Sequence, residues 1–187
     1  RVAVAEIDAE RAAKLREELA GSDALVTQTD VRDAAQVNAL MGEIDARFGG
    51  LDVLVNNVGD FLGIAKPFEL NSDDEIEQLY STNLKSIFIV TRAAIPLLRK
   101  RGNGGSIISI SSIEAFRGIP NTVVYAACKH AITGFTRSLA LELAPSGIRV
   151  NAIAPETTES AQVPMQQMIA AEHRAHIERW IPLGRFG

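Results

Sequence analysis

The sequence predicts a doubly wound α/β domain on a parallel sheet, and three observations carry that prediction. Short apolar runs alternate with longer amphipathic runs along the chain. Each amphipathic run is long enough for a crossover helix, which makes its flanking strands parallel and the connection right-handed. Each apolar run also ends in polar or small residues, where such sheets collect their ligands.

Taken in order, residues 2–7 form an extended apolar run, and residues 9–20 are rich in helix formers, with Gly21 placed to stop the helix. Residues 24–29 read as a second strand, 33–48 as an amphipathic helix stopped by Gly49-Gly50, and 51–55 as a buried strand. Ser72-Asp73-Asp74-Glu75 has the Ser-x-x-Glu form of a capping box, in which hydroxyl and carboxylate satisfy backbone N–H groups reciprocally. It opens a long helix towards Arg101, with a kink expected at Pro96, whose ring removes a helical hydrogen bond. Residues 106–110 form a strand, 122–143 a helix ended by Pro145-Ser146-Gly147, and 148–153 another strand. The tail from Ala154 is irregular, then helical around residues 166–179. No repeat or linker divides residues 1–187, which read as one domain.

With 187 residues, 47% of them hydrophobic and 22% charged, the chain can bury a sizeable core. A net charge of −4, and no basic run beyond Arg99-Lys100-Arg101, argue against a nucleic-acid partner. Those three cations suit the C-terminal end of a helix. No apolar run approaches the ~18 residues of a membrane span. The single cysteine, Cys128, excludes an intrachain disulfide, fits a reducing, cytoplasmic setting and reads as a small packing residue. The chain opens on Arg1 and not on Met, so the missing signal peptide says nothing about targeting.

Tyr125-Ala126-Ala127-Cys128-Lys129 puts a phenol and an ammonium on one helical face, about 6 Å apart in rise. A cation held there stabilises the phenolate, so the phenol can exchange a proton nearer neutral pH. Moving a tyrosine from ~10 to ~7 takes about 4 kcal/mol of differential stabilisation. Ser112, thirteen residues upstream of Tyr125, follows the fourth strand. The other strand ends carry Glu6 and Asp8, Asp30-Val31, Asn56-Asn57-Val58-Gly59 and Ala154-Pro155.

On Asp30-Val31, Asn56-Asn57-Val58-Gly59, Asn83, Ser112, Tyr125-x-x-x-Lys129 and Asn151-Ala152-Ile153-Ala154-Pro155, the chain resembles the short-chain dehydrogenase/reductase family in its single-domain branch. These pieces fall in the family's order and spacing and span essentially the whole chain. The resemblance implies a Rossmann-like fold in which Tyr125 is the catalytic acid/base and Lys129 lowers its pKa and binds the nicotinamide ribose. Ser112 would hold the substrate oxygen, and Asn83 a proton-relaying water. Asp30 and Val31 would meet the adenine ring, and Asn57, Gly59 and Pro155 would also bind the cofactor. Ser160 occupies the position of a cofactor-contacting Thr, with Thr157 and Thr158 as rivals. Gly59 would let the backbone approach the cofactor, since any Cβ would intrude. Glu6, at the end of the family's second strand, would accept hydrogen bonds from the adenosine ribose and repel a 2′-phosphate, favouring NAD over NADP.

The implied activity is an NAD-dependent interconversion of a secondary alcohol and a ketone on a small or medium substrate, with a substrate loop at about residues 155–183. The alternatives are an NADPH-dependent 3-oxoacyl thioester reductase and a non-catalytic dinucleotide-binding protein. By resemblance the assembly is a homotetramer or homodimer through residues 74–101 and 122–143.

Several of these residues admit plainer readings. Asp30 also suits a helix cap. Asn56-Asn57 could satisfy turn backbone, although a strand end favours the cofactor role. Asn83 is a poor helix former with no evident structural reason to sit in mid-helix. Ser111 reads as structural, and Asp73, Asp74, Glu75 and Glu77 as a helix N-terminus suiting its dipole. Glu172, His173 and His176 read as a solvated face, so no metal site is expected. Met165, Met168 and Trp180 lean towards a substrate pocket.

Two departures from the family stand out. Its glycine-rich phosphate-binding turn is absent, and the chain is expected to be an incomplete stretch that begins at the family's second strand and stops before its last. That would leave a gap in the sheet, with unpaired backbone and apolar surface. The family's usual Pro-Gly at the start of the substrate loop is Pro155-Glu156, so the Glu156 side chain must turn away or reach the substrate or a neighbouring cation.

Overall fold

A computed structural model describes residues 1–156, 158, 174, 177–179 and 181–185. Strands and helices alternate: β1 (Val2–Glu6), α1 (Ala9–Glu18), β2 (Ala24–Gln28), α2 (Ala34–Phe48), β3 (Val53–Asn56), α3 (Asp73–Tyr80), α4 (Ser86–Arg101), β4 (Gly105–Ile110), α5 (Val123–Leu143) and β5 (Ile148–Ile153). Every strand pairing is parallel, as the crossover lengths require.

The helix ends follow the local chemistry. Asp33 caps α2 by accepting from the Ala35 and Gln36 N–H groups, and Gly49 closes it in the left-handed region. The capping box at α3 forms in full, with Glu75 N–H on Ser72 Oγ at 3.2 Å and Ser72 N–H on Glu75 Oε2 at 2.8 Å. Basic Arg99, Lys100 and Arg101 occupy the last turn of α4, and Pro96 sits inside that helix without ending it.

The run from Ser72 to Arg101 is not one uniform helix. A single π-turn, Ser81–Lys85, joins α3 to α4, with Ser86 N–H reaching back to Ser81 O. Asn83 lies in this wider turn. The sequence gives no pattern for it, because hydrophobic periodicity does not distinguish one extra residue in a turn.

The strands form two sheets, β1-β2 and β3-β4-β5. Between β1 and β3 runs a cleft of about 540 Å³, whose walls include Val2, Val4, Val53, Val55, Val58 and Val90. This is the sheet gap expected from the sequence. It also corrects the reading of residues 51–55 as a buried strand: β3 starts at Val53, and Val53 and Val55 are 49% and 53% exposed. Leu54 and Asn56, pointing the other way, are buried.

One continuous core joins the two halves. Val37, Leu40, Met41 and Ile44 of α2 and Leu98 of α4 belong to it, together with Ile107 of β4 and Leu139 and Leu143 of α5. At roughly 1.5–3 kcal/mol for each fully buried aliphatic side chain, this core fixes where the strand ends lie.

Candidate active site

The site gathers at the C-terminal ends of β3, β4 and β5, where parallel strands deliver their loops to one edge. The β4–β5 pairing continues past the strands, with Ser111 N–H on Ile153 O at 2.7 Å and Ile113 N–H on Pro155 O at 3.0 Å. Ser112 is thereby held in extended backbone between two anchored residues. Ser111 points inward and donates from Oγ to Lys129 O at 2.9 Å, tying β4 to α5. Its structural role is as expected.

Tyr125 and Lys129 lie one turn apart on α5. Lys129 is 3% exposed, donates from Nζ to Ile110 O at 3.1 Å, and has its ammonium 5.3 Å from the Tyr125 ring centroid. Burial pushes the Lys129 ammonium down to about 8, against smaller upward pulls from Cys128 and Glu114. Burial also raises the Tyr125 phenol, and the Glu114 and Asp60 carboxylates push it further, while the neighbouring Ser112 hydroxyl opposes them. Contrary to the expected lowering by Lys129, this arrangement holds the phenol protonated near neutral pH, because burial and the two carboxylates outweigh the opposing influence. The Ser112 hydroxyl accepts the Glu114 N–H at 3.2 Å.

Asn83 is fully buried, and its amide is engaged on both sides. Oδ1 accepts Asp60 N–H at 3.0 Å, and Nδ2 donates to Asp60 O at 2.7 Å and to Leu79 O at 2.9 Å. This corrects the expectation that no structural reason put Asn there: its side chain clamps the loop after β3. Gly59 gains a reason different from the one the sequence suggested. A Cβ at Gly59 would lie 2.8 Å from Lys129 Nζ and 3.1 Å from Asn83 Oδ1. The glycine leaves room for both of those side chains to pack against its backbone.

The cofactor candidates divide. Asn57 and Val58 stand at the end of β3, whereas Asn56 is buried and donates to Thr91 Oγ1 at 3.0 Å and Ser109 Oγ at 3.2 Å. Asn56 thus locks β3 to α4 and β4. Glu6 ends β1 and accepts Asp8 N–H at 2.9 Å. Asp30 is paired with Arg32, which holds its carboxyl below the usual range. The helix-cap reading of Asp30 is corrected, since Asp33 caps α2. Val31 lines the cleft together with Asn57.

Pro155 sits where β5 ends, and Glu156 reaches a neighbouring cation, meeting Arg117 at 2.8 and 3.1 Å. Thr158 donates to Glu156 O. Ser160, Thr157, Met165, Met168, Glu172, His173, His176 and Trp180 lie outside the described residues.

A nicotinamide dinucleotide suits this donor set. Among the described residues Lys129 Nζ makes one hydrogen bond, which leaves two of its three donors for a ribose diol. Glu114 and Asp60 went unnoticed in the sequence. A charged residue two positions beyond Ser112, and another directly after Gly59, were the signals that could have found them.

The chain belongs to the short-chain dehydrogenase/reductase family: the family model described as short chain dehydrogenase matches residues 1–172. It is 34% identical over 168 residues to an uncharacterized NAD-dependent oxidoreductase of Mycobacterium tuberculosis, covering 89% of this chain and 60% of that protein. It is 40% identical over 171 residues to a 3-oxoacyl-[acyl-carrier-protein] reductase of Staphylococcus aureus, covering 89% of this chain and 65% of that one. The chain therefore spans less than two thirds of the length of either relative. Its fold matches the crystal structure of a short-chain type dehydrogenase/reductase from Mycobacterium marinum with a TM-score of 0.86 at 30% identity, over 100% of this chain and 73% of that one.

Proposed function

We propose that this chain carries the catalytic centre of an NAD-dependent oxidoreductase that interconverts a secondary alcohol and a ketone. The observation that supports this most is the meeting of Ser112, Tyr125 and buried Lys129 at the end of β4.

A bound nicotinamide dinucleotide supplies or accepts the hydride. The chain's own residues handle the oxygen and its proton. As a carbonyl oxygen gains negative charge, Ser112 Oγ–H donates a hydrogen bond to it and Tyr125 gives up its phenolic proton. In the reverse direction Tyr125, deprotonated, takes the proton of the alcohol. Lys129 stabilises the phenolate and offers its remaining donors to the ribose. Asn83, holding the Gly59–Asp60 backbone, is the candidate to seat a water that returns the proton to solvent. Glu6 favours NAD, because a carboxylate beside the adenosine ribose repels a 2′-phosphate. Asp30, Val31, Asn57, Gly59 and Pro155 would complete the cofactor's contacts. Metal chemistry has no part in this reading.

The test is turnover of the full-length protein with simple secondary alcohols and ketones. Tyr125→Phe should lower kcat by roughly 10²–10⁴-fold while NADH binding persists. Retained turnover in that variant would sink the mechanism. The Staphylococcus relative named for 3-oxoacyl reduction supports a second reading, an NADPH-dependent thioester reductase. Comparing kcat/KM with NADH and NADPH separates the two, and a strong NADPH preference would overturn the reading of Glu6. Exposed Phe88 on α4 and Leu141 on α5 support a homotetramer or homodimer through those helices. Light scattering on the same preparation reads that out, a monomer excluding it.

A further inference from the structure

Glu114 is the part of this site that the reaction described above leaves without a role. It lies two residues beyond Ser112, in the short 3₁₀ turn Ile113–Ala115, and its N–H hydrogen-bonds Ser112 Oγ. Its carboxylate is held from the other side of the site. Oε2 accepts the hydroxyl of Thr122 at 3.1 Å, and Thr122 precedes the first turn of α5, three residues before Tyr125. One carboxylate thus bridges the loop that carries the oxygen-binding serine and the helix that carries the phenol.

Among the described residues Oε1 accepts no hydrogen bond, although the side chain is half-buried. Its charge reaches the reacting groups, raising both the Tyr125 phenol and the Lys129 ammonium. The nearest following cation, Arg117, does not offset that charge, because both of its terminal nitrogens are held by Glu156. Asp60, which also raises Tyr125, brings a second negative charge from the loop after β3, and its Oδ1 is taken by Leu62 N–H at 2.8 Å. Around the phenol, two carboxylates thus face the single Lys129 ammonium, and on the Glu114 side the site offers hydrogen-bond acceptors and negative charge.

We propose that Glu114 is a specificity-determining residue: its carboxylate accepts a hydrogen bond from a hydroxyl next to the reacting carbon. The enzyme then prefers neutral vicinal diols and polyols and rejects alcohols with a carboxylate near the reacting centre. The inference rests on the alcohol–ketone reading above. It adds a substrate class, which the Ser112, Tyr125 and Lys129 machinery alone does not specify.

The experiment compares three four-carbon secondary alcohols, a vicinal butanediol, 2-butanol and 3-hydroxybutyrate, oxidised by the full-length protein with NAD. Wild type should favour the diol and use the hydroxy acid least. Glu114→Gln keeps an acceptor oxygen for Thr122 and the N–H for Ser112, so the loop is preserved while the charge is lost. That variant should lose about tenfold or more in kcat/KM for the diol, chiefly through KM. It should gain about tenfold for the hydroxy acid, both changes being read relative to 2-butanol, whose turnover reports the altered charge around Tyr125 alone. Glu114→Ala should repeat the pattern more strongly. An equal change on all three substrates, or a wild type that favours the hydroxy acid, overturns the role of Glu114. The alcohol–ketone reading then still stands, provided Tyr125→Phe abolishes turnover of 2-butanol. No turnover of any of the three substrates by the wild type overturns both.

Discussion

Lys129 carries its charge where burial works against it, and that conflict has a measurable sign. Its ammonium falls from 10.5 to about 8 in the folded chain. Below pH 8 the group is charged in both folded and unfolded states, so the cost of burying that charge is felt in full. Between about 8 and 10.5 the unfolded chain binds more protons, so this group's contribution to stability improves as pH rises. Lys129→Met removes the titration. The stability of wild type minus that of the variant should therefore grow by up to about 3 kcal/mol from pH 7 to pH 10. Urea denaturation at the two pH values measures it, and a flat or falling difference would contradict the burial of the charge. At this scale the spacing of Tyr125, Lys129 and Ser112 was legible in the sequence. The influence of Glu114 and Asp60 on Tyr125 was not, because charge acts through space between loops that are far apart in the chain.

The element that most shapes the site is the π-turn between α3 and α4. It sets Asn83 so that one side chain satisfies three backbone groups: Asp60 N–H, Asp60 O and Leu79 O. Asn83→Ala would leave those groups short of partners in a buried place, at ≈ 1–3 kcal/mol for each group left unsatisfied. We expect a loss of about 3 kcal/mol in stability, with faster amide exchange around residues 59–62. Hydrogen exchange by mass spectrometry checks this, and unchanged protection there would refute the clamp. The sequence suggests Asp30 as the cap of α2, which falls on Asp33, whereas the capping box of α3 was readable locally, since Ser72 and Glu75 are near neighbours in sequence. Asn83 was not, because its partner Asp60 lies 23 positions away and is brought close only by packing.

At the scale of the whole molecule, the described residues place five parallel strands in two sheets facing across the expected gap, a cleft of about 540 Å³. The facing edges of β1 and β3 present valines, and half-exposed apolar walls of this kind attract apolar ligands or strands. Val53→Thr with Val55→Thr keeps the shape of the walls while making them polar. This double variant of the chain should bind an environment-sensitive apolar dye roughly half as well or less, with an unchanged far-UV spectrum. Equal dye binding would mean that the cleft is not the exposed apolar surface. The sequence by itself determined the five strands seen among the described residues, their parallel sense, the α3 capping box and the spacing of Tyr125 and Lys129. Periodicity, capping and helical spacing are local properties, while Ser112 joined that pair through the family resemblance. Only the tertiary structure decided that Asn56 faces inward, that Gly59 makes room for Lys129 and Asn83, and that the Glu114 carboxylate bridges to Thr122 with its charge felt by the phenol. Those facts depend on which distant backbones approach one another, and close approach is set by packing across the sheet.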